Sequence, residues 1–555
     1  MPVWLITALA LGYALFLYLI AQHADRRALF GMMSGPRPYT YAMGLAVFCT
    51  SWTFYGSVGM AAGKGLDFLT IYIGPILVFV FGYRLLKRIV IIGRTERTSS
   101  TADFIAARYG KNFSVALVAT IIVVIGIIPY IALQLQAVAN SFQLLTTGFD
   151  LAATQAVPPG NARSAPELSA ALPITLALAV FAILFGTRHA DATEHQDGMF
   201  VAIAFESIVK FIAFVAVGLY VLLLFDGGPL TLLSAIAEST DGPSLLERTS
   251  GIDTWLTLTL LSALAILLLP REFHMMVVEN RDVSELETAR WVFPLYLVGI
   301  NLFVMPVAYA GLVEVGTLTS PDLYVIAVPM MRDNPSMAAI AFIGGLSAAT
   351  AMVIVASVAL AIMISNHIVL PFVISQHHAV QDNEFGDWGS LILQVRRAAI
   401  ICVMLLAYLY YQATTNNREL SAIGFLSFAA IAQLGPAFLG GLIWRNANAR
   451  GALAGMISGF SAWLVFLLIP TLGGDMGAAG LRTALTDPAI AGFAPEILRS
   501  DPFVAGTLAS LLINLLFLLS ARSAVRRRLL NAFKPPSLSP MRKAGCRPCR
   551  FPRRG

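Results

Sequence analysis

Charge is what this chain has least of. Asp, Glu, Lys and Arg make up only 12% of its 555 residues, against roughly a quarter in soluble domains, while 57% are hydrophobic. So thin a polar covering excludes a water-soluble particle of this size. The apolar residues also come in runs of about 18 or more, each long enough to cross a bilayer core ~30 Å thick. Cysteine is scarce too, with four in all. Cys49 and Cys402 fall inside apolar runs, where a small buried hydrophobe is the expectation. Cys546 and Cys549 form a lone Cys-Arg-Pro-Cys with no histidine after His378 to complete a zinc site, so no metal is expected. Nucleophile–base pairs and phosphate-cradling glycine loops are missing as well, which argues against an enzyme, and no nucleic-acid partner is expected.

What is present is a series of spans, expected near 3–22, 40–62, 66–86, 113–137, 171–187, 198–225, 255–278, 291–313, 337–370, 398–413, 420–444, 451–471 and 503–521. The first has no basic region before it and reads as a retained span. No globular interval separates the spans, so residues 1–525 read as one all-α polytopic membrane domain and 526–555 as a tail. About thirteen spans put the two termini on opposite sides. With the C-terminus cytoplasmic, inner segments hold 29 of the 37 Lys and Arg residues and outer loops hold 7. The positive-inside bias then sets the N-terminus outside, in a bacterial inner membrane. The long outer loops, 138–170, 226–254 and 472–502, are rich in Gly, Pro, Ser and Asp. The tail opens with Arg526-Arg527-Arg528 and holds no acidic residue, a composition drawn to anionic lipid or to a partner.

Two spans carry marks of a break. The second reads Cys49-Thr50-Ser51-Trp52-Thr53-Phe54-Tyr55-Gly56, small, polar and aromatic in mid-membrane, and the seventh runs from Ser262 to Pro270-Arg271-Glu272. They lie five spans apart, and an odd offset inverts the second unit relative to the first, as in transporters that bind substrate beside unwound helices. Thr50 and Ser51 offer hydroxyls and free backbone, while Trp52 and Tyr55 either wall a ligand or simply pack between helices. In the sixth span Glu206 and Lys210, four residues apart, share a face near mid-bilayer. Such charges must face protein or water, either as an internal salt bridge or as groups that couple an ion. Tyr130, Gln134 and Gln136 in the fourth span line a cavity or join helices. His274 and His367 sit near expected cytoplasmic helix ends.

Several stretches resemble sodium:solute symporters: Thr101-Ala102-Asp103-Phe104 through Arg108-Tyr109-Gly110, and Gly435-Pro436 through Trp444-Arg445 to Gly451-Ala452-Leu453-Ala454-Gly455. Within that superfamily the chain is most similar to the membrane part of CbrA-type sensor histidine kinases. The resembling pieces are Cys49 to Gly56, Phe185-Gly186-Thr187-Arg188-His189, Phe205-Glu206-Ser207, and Pro270-Arg271-Glu272-Phe273-His274 running on to Asp282. The resemblance implies a LeuT-like core of inverted repeats, about 40–225 and 255–444. It also implies a substrate site at the two breaks, drawn from Cys49, Thr50, Ser51, Trp52, Tyr55, Tyr130, Gln134 and Ser262, and a small polar solute, histidine or another amino acid.

Sodium-coupled members carry an acidic residue where this chain has Phe48 or Cys49, and hydroxyls where it has Ala351 and Met352. Ser347 and Thr350 lie nearby on other faces of the span. With Glu206 and Lys210 these are the candidate coupling groups, for Na+ or, more in keeping with the departures, H+. The CbrA-type branch further implies a sensory role reported to a kinase. The about thirty residues after Ala521 hold no kinase, so a signalling kinase is expected only as a partner.

Overall fold

Without water, a helix satisfies its own backbone, and the long apolar runs of this chain become helices. The computed structural model describes residues 1–30, 35–149, 171–186, 196–225, 231, 234, 250–377, 388–414, 419–472 and 501–520. Among them the regular structure is helical, with no strand. The basic tail with Cys546 and Cys549, the Thr187-Arg188-His189 motif and most of the three long loops lie outside the described residues.

The chain begins with α1 (Val3–Leu29), α2 (Pro38–Leu45), α3 (Ser57–Lys64), α4 (Thr70–Val80), α5 (Tyr83–Glu96), α6 (Thr101–Arg108) and α7 (Phe113–Thr147). It continues through α8 (Ala171–Gly186), α9 (Asp197–Leu224), α10 (Ile252–Leu268), α11 (Pro270–Phe273), α12 (Val283–Asn301), α13 (Val304–Glu314) and α14 (Tyr324–Met331). The remainder is α15 (Pro335–Ile364), α16 (Leu370–His377), α17 (Trp388–Ala413), α18 (Leu420–Ala432), α19 (Gly435–Ile443), α20 (Ala449–Trp463), α21 (Ile469–Leu472) and α22 (Pro502–Ser520). Side-chain caps start several of them. Ser100, Asn112, Asn334 and Asn448 each accept a backbone N–H of the first turn. Asp282 and Glu285 form a reciprocal capping box at α12.

By length and composition, nine helices among the described residues can cross a membrane, or eleven when two bent pairs each count as one. The run Trp52–Val80 counts there as a single helix, yet the chain reverses within it. Asp67 accepts Trp255 Nε1 at 2.7 Å beside the start of α10. Tyr41 donates to Met276 O, and Arg290 to Val80 O, at the opposite end. The chain therefore runs one way along α2 and α3 and back along α4, turning at Gly65, whose φ of 58° suits a residue without a Cβ. Adding the short apolar α8 restores about thirteen passes. Several local expectations shift, among them the fourth span, which runs on to Thr147 into the expected outer loop 138–170, and the tenth, which starts at Trp388 instead of 398. α1 runs on to Leu29, and the third span ends at Val80, before the basic, amphipathic α5. Cys402 is exposed, because it lies on the outer face of α17 beside the exposed Ile401.

Both expected breaks are present. After α2 the chain makes one tight turn, Ala46–Phe48, and is extended at Cys49 (φ −77°, ψ 98°). It rejoins α3 through a wide π-type turn, Trp52–Gly56. α10 ends at Leu269 (φ −58°, ψ 130°), since the Pro270 ring disfavours helical geometry in the residue before it. α10 and the segment Pro270–Val278 meet at 49°. A third bend, of 42°, separates α18 from α19. At the centre stands α15, packed against α7, α8, α9 and α17.

Candidate functional site

At the first break α2 gives way to a tight turn in which Ala46 O accepts Cys49 N at 3.0 Å, and the carbonyls there face α9. Lys210, on α9, donates to two of them: its Nζ lies 2.7 Å from Ala46 O and 2.6 Å from Cys49 O. The lysine is 1% exposed. No ion pair joins it to Glu206, although the two share a helix face; each reaches a different neighbour.

Glu206 points to α15. Its Oε1 accepts the Thr350 hydroxyl, and its backbone carbonyl accepts Ser347 Oγ at 2.9 Å. Tyr13 of α1 donates to Ser347 Oγ at 2.8 Å. Glu206 Oε2 is buried and has no hydrogen-bond partner among the described residues. Three of the four expected coupling groups thus form one cluster, and Lys210 stands apart at the break.

The two breaks meet at Tyr130. From the first, Thr50 Oγ1 lies 3.1 Å from Tyr130 Oη and also accepts Trp52 N at 3.2 Å. From the second, Arg271 Nη2 reaches Tyr130 Oη at 3.5 Å, with its guanidinium 4.6 Å from the centre of the phenol ring. Gln134, one turn on, accepts Ser51 N at 3.1 Å. Trp52 packs edge-on against Tyr130, Phe425 and Phe428. Tyr55 presses against α15 where Gly345 leaves room: a Cβ there would fall 1.9 Å from the tyrosine hydroxyl. Cys49 and Ser51 are buried beside them. Ser262 stays apart, its hydroxyl donating to Thr70 O and Thr259 O between α4 and α10.

Arg271 and Glu272 gain a prominence the residue pattern gave them only as part of a motif. Both are fully buried and pair at 2.9 Å through Nε and Oε1. Arg271 Nη1 and Glu272 Oε2 keep no partner among the described residues. One donor and one acceptor of opposite charge are therefore held ready beside Tyr130. A signal existed: two opposite charges directly after a leucine run in an apolar span must face protein or a cavity.

The two ends of the molecule differ. At one, Arg37 pairs with Asp197 at 2.8 Å and Glu279 at 3.3 Å, Arg281 also pairs with Asp197, and the Arg37 guanidinium lies 3.9 Å over Phe200. The Arg37 backbone N–H donates to Glu285 at 2.7 Å. This network ties the starts of α2, α9 and α12 to the segment after α11. At the other end two cavities open, of 260 and 380 Å³. The smaller is lined by Lys64, Asp67, Ser250 and Phe425. Phe425 also touches Trp52, at 4.8 Å between ring centres. Phe425 thus stands between this cavity and Trp52.

No protein-family model matches the sequence. The chain is 22% identical over 424 residues to an uncharacterized symporter, YhjB, of Bacillus subtilis (strain 168), covering 74% of this chain and 77% of that protein. Among solved structures it superposes on a Na+-coupled sialic acid symporter in a substrate-bound outward-open state. The TM-score is 0.57 at 14% identity, over 93% of this chain and 98% of the other. The fold is thus that of a symporter: an all-helical, multi-pass membrane protein with a LeuT-like inverted-repeat core.

Proposed function

We propose that this chain is a secondary active transporter of an amino acid or similar small zwitterion, with histidine the first substrate to test. The observation that carries this reading is the convergence of two broken helices on Tyr130, beside Arg271 Nη1 and Glu272 Oε2, a buried donor and acceptor atom without partners among the described residues. A guanidinium N–H suits the substrate carboxylate, and a carboxylate oxygen suits its ammonium. The aromatic rings of Trp52, Phe425 and Phe428 would enclose the side chain. The symporter fold and the symporter relative support transport over other uses of such a pocket.

Coupling is assigned to protons rather than sodium. Ala351 and Met352 offer no side-chain oxygen for an alkali ion, whereas Glu206 is a buried carboxyl with one oxygen unpartnered among the described residues. The positive-inside bias puts the Arg37 end in the cytoplasm and the two cavities outside, with the N-terminus outside, in a bacterial inner membrane. Residues 1–525 act as one transport unit, with repeats of about 40–225 and 255–444. Proteoliposomes carrying the purified chain test this against the twenty amino acids. Uptake of at least one is expected under an inward proton gradient. No uptake under either a proton or a sodium gradient would overturn the reading, and uptake that follows sodium at a fixed proton gradient would overturn the coupling.

A further inference from the structure

Lys210 is a buried charged group that neither the solute site nor the Glu206 cluster uses. Its ammonium lies on the carbonyls of Ala46 and Cys49, three residues apart, where α2 has given way to a tight turn and Ala46 O shares its lone pairs between Cys49 N–H and the lysine. Carbonyls at a helix C-terminus carry the negative pole of the helix dipole and attract cations. In transporters, carbonyls freed by an unwound helix are the ligands of small coupling cations. The same oxygens here are already taken by a positive charge attached to α9.

Its surroundings argue against simple structural glue. No carboxylate lies within ion-pair distance of Lys210 among the described residues, so its direct contacts are backbone carbonyls. Holding a lysine at the middle of an apolar helix costs at least ~2.5 kcal/mol. A serine or asparagine would satisfy one or two carbonyls without that charge. A cation is what this geometry asks for, and an ammonium is a compact point charge with three donors.

We propose that the Lys210 ammonium is a tethered cation, standing at the first break in the place a diffusing coupling cation would take, so that the binding-competent arrangement of α2 and α3 forms without sodium. This rests on the transport reading, and it names what makes sodium unnecessary. The anchor also ties α9 to the half-helix that carries Thr50, so α9 and the site move as one body.

Salt-dependent thermal unfolding of the purified full chain in detergent tests the idea with no solute present. At equal ionic strength in sodium chloride, ethylammonium chloride or choline chloride, the native protein should melt at one temperature. Lys210→Ala empties the place beside the carbonyls. It should melt lower in choline chloride and regain stability in sodium or ethylammonium chloride, which are small enough to enter. Lys210→Arg keeps a charge there and should be indifferent to the salt. A saturable, sodium-specific rise in the native protein would overturn the proposal, as would a Lys210→Ala variant that melts alike in all three salts. Should Lys210→Ala yield no folded protein in any salt, the native protein decides: indifference upholds the tethered cation and a sodium-specific rise refutes it. Failure of the transport reading would show separately, as missing uptake in proteoliposomes.

Discussion

Tyr130 is joined by hydrogen bonds to both broken helices, so its hydroxyl reports on the whole site. Tyr130→Phe keeps the ring against Trp52 and Phe428 and removes the hydroxyl; Thr50→Val keeps the volume and removes the other oxygen of the pair. Each should weaken binding of whichever amino acid stabilises the native protein by about 1 kcal/mol or more, roughly fivefold, read from ligand-induced thermal shifts. Thr257→Val, in α10 and away from the break, is the control and should bind normally. If the first two bind as tightly as the native chain while Glu206→Gln abolishes binding, the ligand sits near α15 instead. Arg271→Gln removes the charge and leaves Glu272 buried without its partner. It should lose ligand stabilisation altogether, and retention of a native shift would remove Arg271 from the site.

At the scale of the helix, the second break depends on one ring. Pro270 keeps Leu269 extended and sets the angle at which Arg271 leaves α10. Pro270→Ala lifts that restriction and lets the helix run through, carrying Arg271 off Tyr130. The variant should stay folded, with binding weakened about tenfold or more in the same thermal-shift assay. Unchanged affinity would mean that packing, not proline, sets the bend. Both breaks were legible in the sequence, because a proline after a leucine run and a cluster of small polar residues in mid-span are local signals. The partner of Lys210 was not. Four residues from Glu206 on one face, it looked like half of a salt bridge, but its partners are backbone carbonyls 164 and 161 residues away, which no side-chain pattern encodes. The Arg37 network was hidden for the same reason, since its members come from three distant helix starts. The end of the third span was misread because apolar residues continue through Phe81 and Tyr83, while the turn at Gly82 is set by the basic α5 settling along the surface.

For the whole molecule, the Arg37 network and the cavity that reaches Phe425 lie at opposite ends, and access to Tyr130 is expected from the cavity end. Cys49, buried at the first break, can report this. In a chain with Cys402, Cys546 and Cys549 replaced by serine, alkylation of Cys49 should be slow. Arg37→Ala should speed it, about tenfold for each 1.4 kcal/mol taken from the closed arrangement. Equal rates would show that the network does not hold that end shut.

The position of α15 also bears on which substitutions this protein tolerates. In its most apolar stretch 94% of residues are buried, against 11% for α1, which runs along the rim. Near Gly344 and Gly345 even one added methyl meets Phe54 or Tyr55. Overpacking of this kind costs typically 1–3 kcal/mol. In a saturation library selected for stable insertion, α15 should keep almost only residues of equal or smaller size, whereas α1 should drift freely among apolar side chains. Sequence divergence between distant versions of this protein would then be steepest at the rim and shallowest around the central helix, a record of packing that requires no ligand to read.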